Sequence, residues 1–109
     1  MRRLAFTALR VVLSCFVRRV KVEGSSMLPT YVPGEVLTAF RQWRSVDVGD
    51  VVVLRDPRDD RNWLLKRCVA RSGSMLDVRG DNEEASTDSR HFGLVSAKEV
   101  RYVVPHTRP

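Results

Sequence analysis

The run Asp50-Val51-Val52-Val53-Leu54 holds four aliphatic residues in succession, three of them β-branched. Such a run, preceded by Gly49 and followed by a charged turn at residues 56–61, predicts a strand that is buried on both faces. Runs of strand-forming residues on either side predict further strands at residues 19–23, 35–40, 63–71, 75–79 and 100–104. Nothing beyond the N-terminal segment has strong helical periodicity. We therefore expect a mostly β protein, with a single compact antiparallel β domain at residues 19–109 that is closed or coiled on itself.

The composition limits the classes of function. The 109 residues fit one domain, and the formal net charge of +6 favours an anionic partner. Because the sequence has no basic helix with a reading face, we expect membrane contact and no nucleic acid. The two cysteines and two histidines, which are Cys15, Cys68, His91 and His106, match no metal spacing, so we expect no metal and no cofactor. Cys68 is expected to pack in the core.

Residues 1–18 form a separate N-terminal segment. Its polar positions recur at steps of four, three, four and four residues, which places them on one stripe of a helix: Arg3, Thr7, Arg10, Ser14 and Arg18. The apolar part, residues 4–17, is shorter than the roughly 20 residues that cross a bilayer. We expect an amphipathic helix that contacts a membrane peripherally through residues 3–18. A signal peptide, a helix packed on the domain and the remnant of a spanning anchor remain as alternatives.

A serine-containing turn follows the first strand of the body. The stretch Gly24-Ser25-Ser26-Met27-Leu28-Pro29-Thr30 sits directly after the alternating residues 19–23. Glycine and proline predict a tight turn, and a serine at its mouth can present its hydroxyl on a rigid edge. The same position also suits an inert turn serine, so the stretch alone leaves both interpretations open.

Lys66 is the second notable residue. Strict alternation in the strand Leu64-Leu65-Lys66-Arg67-Cys68 puts Lys66 on one face with Leu64 and Cys68. A serine nucleophile needs a base, and a lysine serves when burial disfavours its charged form and lowers its pKa. The alternative is a surface lysine that extends its amine into water.

Three segments together resemble the signal peptidase I family of Ser-Lys endopeptidases. They are the serine turn with Pro33-Gly34, the pair Gly49-Asp50 with Lys66-Arg67, and the loop from Gly80 to Gly93. The resemblance implies the family's coiled β fold, Ser26 as nucleophile and Lys66 as general base. It further implies that Ser86 orients the lysine and that Asp88 and Arg90 form an ion pair that holds the loop. The substrate and the oxyanion would lie near Gly24, Ser25, Met27 and Pro29.

The sequence departs from the family pattern at several positions. Glu83 stands where the family usually has arginine, so one loop contact is expected to change or reverse. Gly24 stands where some members have a serine that donates to the oxyanion, which leaves the backbone N–H of Ser26 for that role.

The short chain, the run Ser26-Met27-Leu28-Pro29-Thr30 and residues 85–90 resemble a compact subgroup that matures nickel-containing superoxide dismutase by removing an N-terminal propeptide. This resemblance implies a protein precursor as substrate, bound as an extended peptide, and a location in the cytoplasm or at the inner membrane. A small signal peptidase that acts on exported proteins is the alternative. A catalytically inactive β module that binds peptides or membrane is a more distant one.

Overall fold

The computed structural model describes residues 16–41 and 45–104. The strands are β1 (Val17–Lys21), β2 (Val36–Arg41), β3 (Val51–Asp56), β4 (Asp59–Ser72), β5 (Met75–Arg79), β6 (Val95–Ser96) and β7 (Val100–Val104). Two short 3₁₀ turns, Glu83–Ala85 and Ala97–Glu99, and one turn of α-helix, α1 (Ser89–Phe92), complete the described elements. Up to residue 15, the predicted N-terminal helix lies outside the described residues. Its last two positions, Val17 and Arg18, belong to β1.

The strands form one antiparallel sheet in the order β1-β2-β7-β3-β4-β5-β6. β3 lies inside the sheet between β7 and β4, and its residues from Val51 to Leu54 are buried. The expected mostly β, antiparallel domain is therefore confirmed. Within residues 16–41 and 45–104, no helix has the length and apolar character that crossing a membrane requires.

The two faces of β3 pack against two separate core clusters. Val52 and Leu54 belong to the first, which also contains Val46, Cys68, Leu76, Val78, Val95, Val100 and Val103. Val51 belongs to the second, together with Val22, Met27, Tyr31, Leu37, Ala39 and Val104. Cys68 is buried as a free thiol and packs in the first cluster, as expected. The second cluster includes the residue after Ser26, so it anchors the serine turn to the sheet.

The turn between β3 and β4 is shorter than the sequence suggested. The expected charged turn at residues 56–61 is wrong, because β3 continues to Asp56 and β4 begins at Asp59. Arg58 binds the Asp56 carboxylate at 2.7 Å, and Arg61 binds Asp59 at 3.0 Å. Because the opposite charges at residues 56–61 pair with one another, β3 and β4 extend into this stretch although its composition is typical of a loop.

Candidate active site

The serine turn continues the pairing of β1 with β2 before the chain leaves the sheet. The N–H of Val22 donates to the carbonyl of Glu35 at 2.8 Å, and the N–H of Gly34 donates back to the carbonyl of Val22 at 2.8 Å. Gly24 then adopts a φ of 71°, a left-handed conformation that favours glycine. Met27 is only 1% exposed, so the residue that follows Ser26 is fixed in the core.

The loop after β5 holds the backbone of this turn. The N–H of Asn82 donates to the carbonyl of Ser26 at 2.8 Å, and the Asn82 side-chain amide donates to the carbonyl of Ser25 at 3.0 Å. A Cβ at Gly80 would lie 2.6 Å from the Ser26 carbonyl oxygen and would also collide with the Ser86 hydroxyl. Ser26 and Ser86 therefore both lie against Gly80, where only a residue without a side chain fits.

Lys66 reaches the same place from β4. Its side chain is buried, and its Nζ donates to Ser86 Oγ at 2.9 Å. This burial does not fit a lysine that extends its amine into water. Burial lowers the pKa of the Lys66 amine; Asp88 opposes this shift, and Arg58 and Arg90 reinforce it. The fold thus keeps an amine with a lowered pKa beside the serine turn.

Ser86 connects this amine to a buried carboxylate. Ser86 Oγ donates to Asp88 Oδ2 at 2.7 Å, and the N–H of Gly80 donates to the same oxygen at 2.9 Å. Because the hydroxyl proton points to Asp88, Ser86 offers only lone pairs to Lys66. The amine must then donate a proton to Ser86, and the lone pair of a neutral Lys66 remains available for another proton.

Asp88 and Arg90 form the ion pair of the loop at 2.6 Å, with the Asp88 side chain fully buried. Burial raises the pKa of Asp88, but hydrogen bonds from Arg90, Ser86 and two backbone N–H groups outweigh it and hold the pKa far below its usual value. Arg90 also contacts Glu83 at 3.4 Å. The unusual acidic residue at position 83 therefore meets a cation of the same loop.

A second ion pair, which the sequence analysis did not single out, joins the three quoted segments. Arg67 binds Asp81 through two hydrogen bonds of 2.9 Å and also donates to the carbonyl of Gly49 at 2.8 Å. Thr30 donates to Asp81 at 2.6 Å. Burial raises the pKa of Asp81, yet the bonds from Arg67 and Thr30 outweigh this and lower it. Asp81 thus ties β4 to the end of the serine turn.

A cleft of about 550 Å³ is lined by residues that precede Ser26 and Lys66 in the sequence. It is lined by residues 18–23 from β1 and its continuation, by residues 63–65 from β4, and by Val53 and Tyr102. Its ends at Glu23 and Leu65 lie three residues before Ser26 and one residue before Lys66. In the described part of the chain, β1 pairs only with β2, and β4 pairs with β5 only from Arg67 onward. Both strands that line the cleft therefore have a free edge.

The described residues contain no group of three or more side chains suited to binding a metal ion. The arrangement thus consists of a buried amine, a hydroxyl that orients it, a serine turn against the same glycine, and an adjoining cleft. Such a set of groups suits proton transfer to and from a serine hydroxyl.

Comparisons with known proteins find similarity to peptidases. The family model described as signal peptidase, peptidase S26, matches residues 3–79. The chain is 35% identical to the mitochondrial ATP-independent inner membrane protease subunit 1a of Arabidopsis thaliana, over 68% of this chain and 60% of that protein. It is 32% identical to the mitochondrial inner membrane protease subunit 1 of Schizosaccharomyces pombe, over 76% of this chain and 71% of that protein. For subunit 2 of the mouse protease (Mus musculus) the identity is 30%, over 70% of this chain and 58% of that protein. The matches thus span less than two thirds of the length of the Arabidopsis and mouse proteins.

Proposed function

Since the chain belongs to the signal peptidase family, peptidase S26, we propose that it is a serine endopeptidase that removes an N-terminal leader from a protein precursor. The observation that carries this proposal is the buried Lys66 amine, which is hydrogen-bonded to Ser86 beside the turn that contains Ser26. In this proposal Ser26 is the nucleophile, Lys66 is the general base, and Ser86 is a positioning residue.

The proposed reaction proceeds through an acyl-enzyme. Neutral Lys66 takes the proton from Ser26 Oγ as the oxygen attacks the scissile carbonyl. The backbone N–H of Ser26 stabilises the oxyanion, since Gly24 has no side chain to contribute. The Lys66 ammonium then protonates the leaving amine as the peptide bond breaks. Lys66 next takes a proton from a water molecule, whose oxygen attacks the ester, and the proton returns to Ser26 as the acid product leaves.

The free edges of β1 and β4 suit an extended substrate. A peptide placed in the cleft can add as a strand and form main-chain hydrogen bonds, which give affinity for many sequences. The end of the cleft near Glu23 and Leu65 would then deliver the scissile bond to Ser26. Membrane contact through the part of the N-terminal segment that precedes β1 would bring the site close to precursors at a membrane surface.

The comparisons favour leader removal over maturation of a nickel superoxide dismutase. The relatives named above are inner membrane protease subunits, and their names do not mention nickel enzymes. Dismutase maturation remains a prediction from residues 85–90 and from the short chain.

Intact mass spectrometry of co-expressed precursors tests the proposal. We expect the protein to trim a secretory preprotein by the mass of its leader, and Ser26→Ala to abolish the trimming. Ser74→Ala, an exposed serine in the β4–β5 turn, is the matched control and should trim normally. A nickel superoxide dismutase precursor serves as the second substrate, and its exclusive trimming would support the subgroup resemblance instead. Trimming that persists with Ser26→Ala would contradict the role of Ser26, and no trimming of either precursor by a folded wild type would support an inactive binding module.

A further inference from the structure

The cleft next to the site carries a net positive charge. Three of its lining residues are cationic, Arg18, Arg19 and Lys21, and one is acidic, Glu23. In the described part of the chain, no acidic side chain forms an ion pair with any of the three cations. Since low-dielectric walls strengthen the field of charges that line a cleft, an anionic occupant is favoured there.

One of the three cations is held in place at the end of the cleft away from Ser26. The Arg18 guanidinium lies over the ring of Tyr102, 5.7 Å from its centroid, and donates to the Tyr102 hydroxyl at 3.4 Å. Alternation in β1 puts Arg18 on the same face as Val20 and Val22, which pack on the second core cluster. Arg18 is therefore directed towards the cleft rather than away from the sheet.

The rest of the lining is largely apolar and suits peptide side chains. Val53, Leu64 and Leu65 provide aliphatic surface, and Trp63 is 46% exposed. Arg55 stacks on the Trp63 ring at 3.8 Å from its centroid, which fixes the orientation of the indole. The cleft thus combines an apolar surface with the cationic side chain of Arg18, whereas alternation directs the side chains of Arg19 and Lys21 to the other face of β1. This arrangement favours a peptide over a small anion.

We propose that this cleft selects precursor segments that carry acidic side chains near the cleavage site, and that Arg18 is the main specificity-determining residue. The inference rests on the proposed function for the position of the scissile bond. Five residues of strand separate Glu23 from Arg18, which corresponds to roughly 16 Å at about 3.3 Å per residue. With the scissile bond at the Glu23 end of the cleft, as in the proposed function, an acidic side chain about five residues from that bond would meet Arg18.

Binding of three extended peptides tests the charge preference without requiring cleavage. The peptides are identical except for a Glu, Gln or Lys about five residues from the cleavage site, and the protein carries Ser26→Ala so that it cannot cleave them. We expect the Glu peptide to bind about two- to fivefold more tightly than the Gln peptide, the range for partly exposed charge pairs, and the Lys peptide to bind more weakly. The difference should shrink as salt rises from about 50 mM to about 500 mM.

Two charge variants locate the effect in the cleft. Arg18→Gln should bring the affinities of the Glu and Lys peptides close together. Arg101→Gln, on the exposed surface of β7, removes the same charge from the molecule and should leave the preference intact. Equal binding of the three peptides to the parent protein, or a preference that survives Arg18→Gln, would overturn the proposal. Circular dichroism of both variants checks that they fold.

The outcomes separate this inference from the proposed function. If the wild type cleaves the peptides without any charge preference, the acidic-segment proposal is rejected and the proposed protease function is unaffected. If the peptides bind with the expected charge preference but the wild type does not cleave them, the proposed protease function is rejected and the acidic-segment proposal is supported. Binding to phosphatidylserine vesicles that is lost with Arg18→Gln, together with no peptide preference, would assign the cations to a membrane and overturn the proposal.

Discussion

At the scale of single residues, the decisive group is the amine of Lys66. In the proposed mechanism this amine accepts the Ser26 proton only when it is neutral, and its burial lowers its pKa. Protonation at low pH would remove the proposed base, so we expect activity to rise with pH until the amine is neutral and then to level off. Ser86 cannot take over this role, because a neutral hydroxyl is a far weaker base than a neutral amine.

We therefore expect kcat/KM to increase by about tenfold per pH unit on the acid side of the Lys66 pKa, with a midpoint below the usual lysine value of about 10.4. Lys66→Met, which has no basic group, should lower kcat by about 10²- to 10⁴-fold. Lys98→Met, at an exposed lysine of the second 3₁₀ turn, should retain the wild-type profile. A pH–rate profile with no acid limb at any pH where the protein stays folded would rule out Lys66 as the base.

The residues identified from the sequence belong to local patterns, whereas those that were missed contact residues far away in the sequence. Alternation put Lys66 on one face with Leu64 and Cys68, which pack on the first core cluster, but it left a surface lysine open until the family resemblance was considered. By contrast, the bond of Thr30 to Asp81 spans 51 positions, and that of Asn82 to Ser25 spans 57. No local pattern specifies such pairs, since they depend on how the strands are ordered in the sheet.

At the scale of elements, the loop between β5 and β6 is held by the fully buried carboxylate of Asp88. This carboxylate accepts from Arg90, Ser86 and the N–H of Gly80, and it also caps the N-terminus of α1. The pKa of Asp88 is lowered in the folded state, so its contribution to stability is present above its unfolded pKa of about 3.9 and is lost as the pH falls below that value. The loop should therefore loosen in acid.

We expect Asp88→Asn to reduce the free energy of unfolding at pH 7 by about 1–3 kcal/mol, because an amide NH₂ replaces one carboxylate oxygen and leaves buried donors such as Ser86 Oγ and the N–H of Gly80 without their acceptor. The loss should become smaller below about pH 4, where the wild type also begins to lose this interaction. Asp77→Asn is the matched control, since Asp77 pairs with Arg79 at the same spacing on the partly exposed side of β5. Urea unfolding at a series of pH values measures both. Equal losses for the two variants would show that burial of the Asp88 pair does not matter.

Strands were easier to predict than their ends or their order. The apolar run of β3 was recognisable because burial on both faces leaves no polar positions in it. The start of β4 was misplaced because paired arginines and aspartates gave a strand the composition of a turn. β6, with only two residues, is too short for any period to be detected.

At the scale of the whole molecule, the two faces of β3 divide the core into two clusters, and only the second contains a direct neighbour of Ser26. The first cluster, which contains Leu54, joins β3 to β4, β5 and β7 and includes neither Ser26 nor its immediate neighbours. The second cluster contains Met27, whose side chain anchors the serine turn. Loss of volume in either cluster costs stability, but only the second should also disturb the position of Ser26.

Leu54→Ala and Met27→Ala test this division, because both residues are almost fully buried. Each should reduce the free energy of unfolding by about 2–5 kcal/mol. At a temperature where both variants are folded, Leu54→Ala, which lies in the cluster without a neighbour of Ser26, should lower kcat less than Met27→Ala does. Met27→Ala should lower kcat more than it changes KM, since a displacement of about 1 Å in a reacting group can cost about 100-fold in rate. Equal effects on kcat would mean that both faces of the sheet position the site, and that the second cluster has no special relation to it.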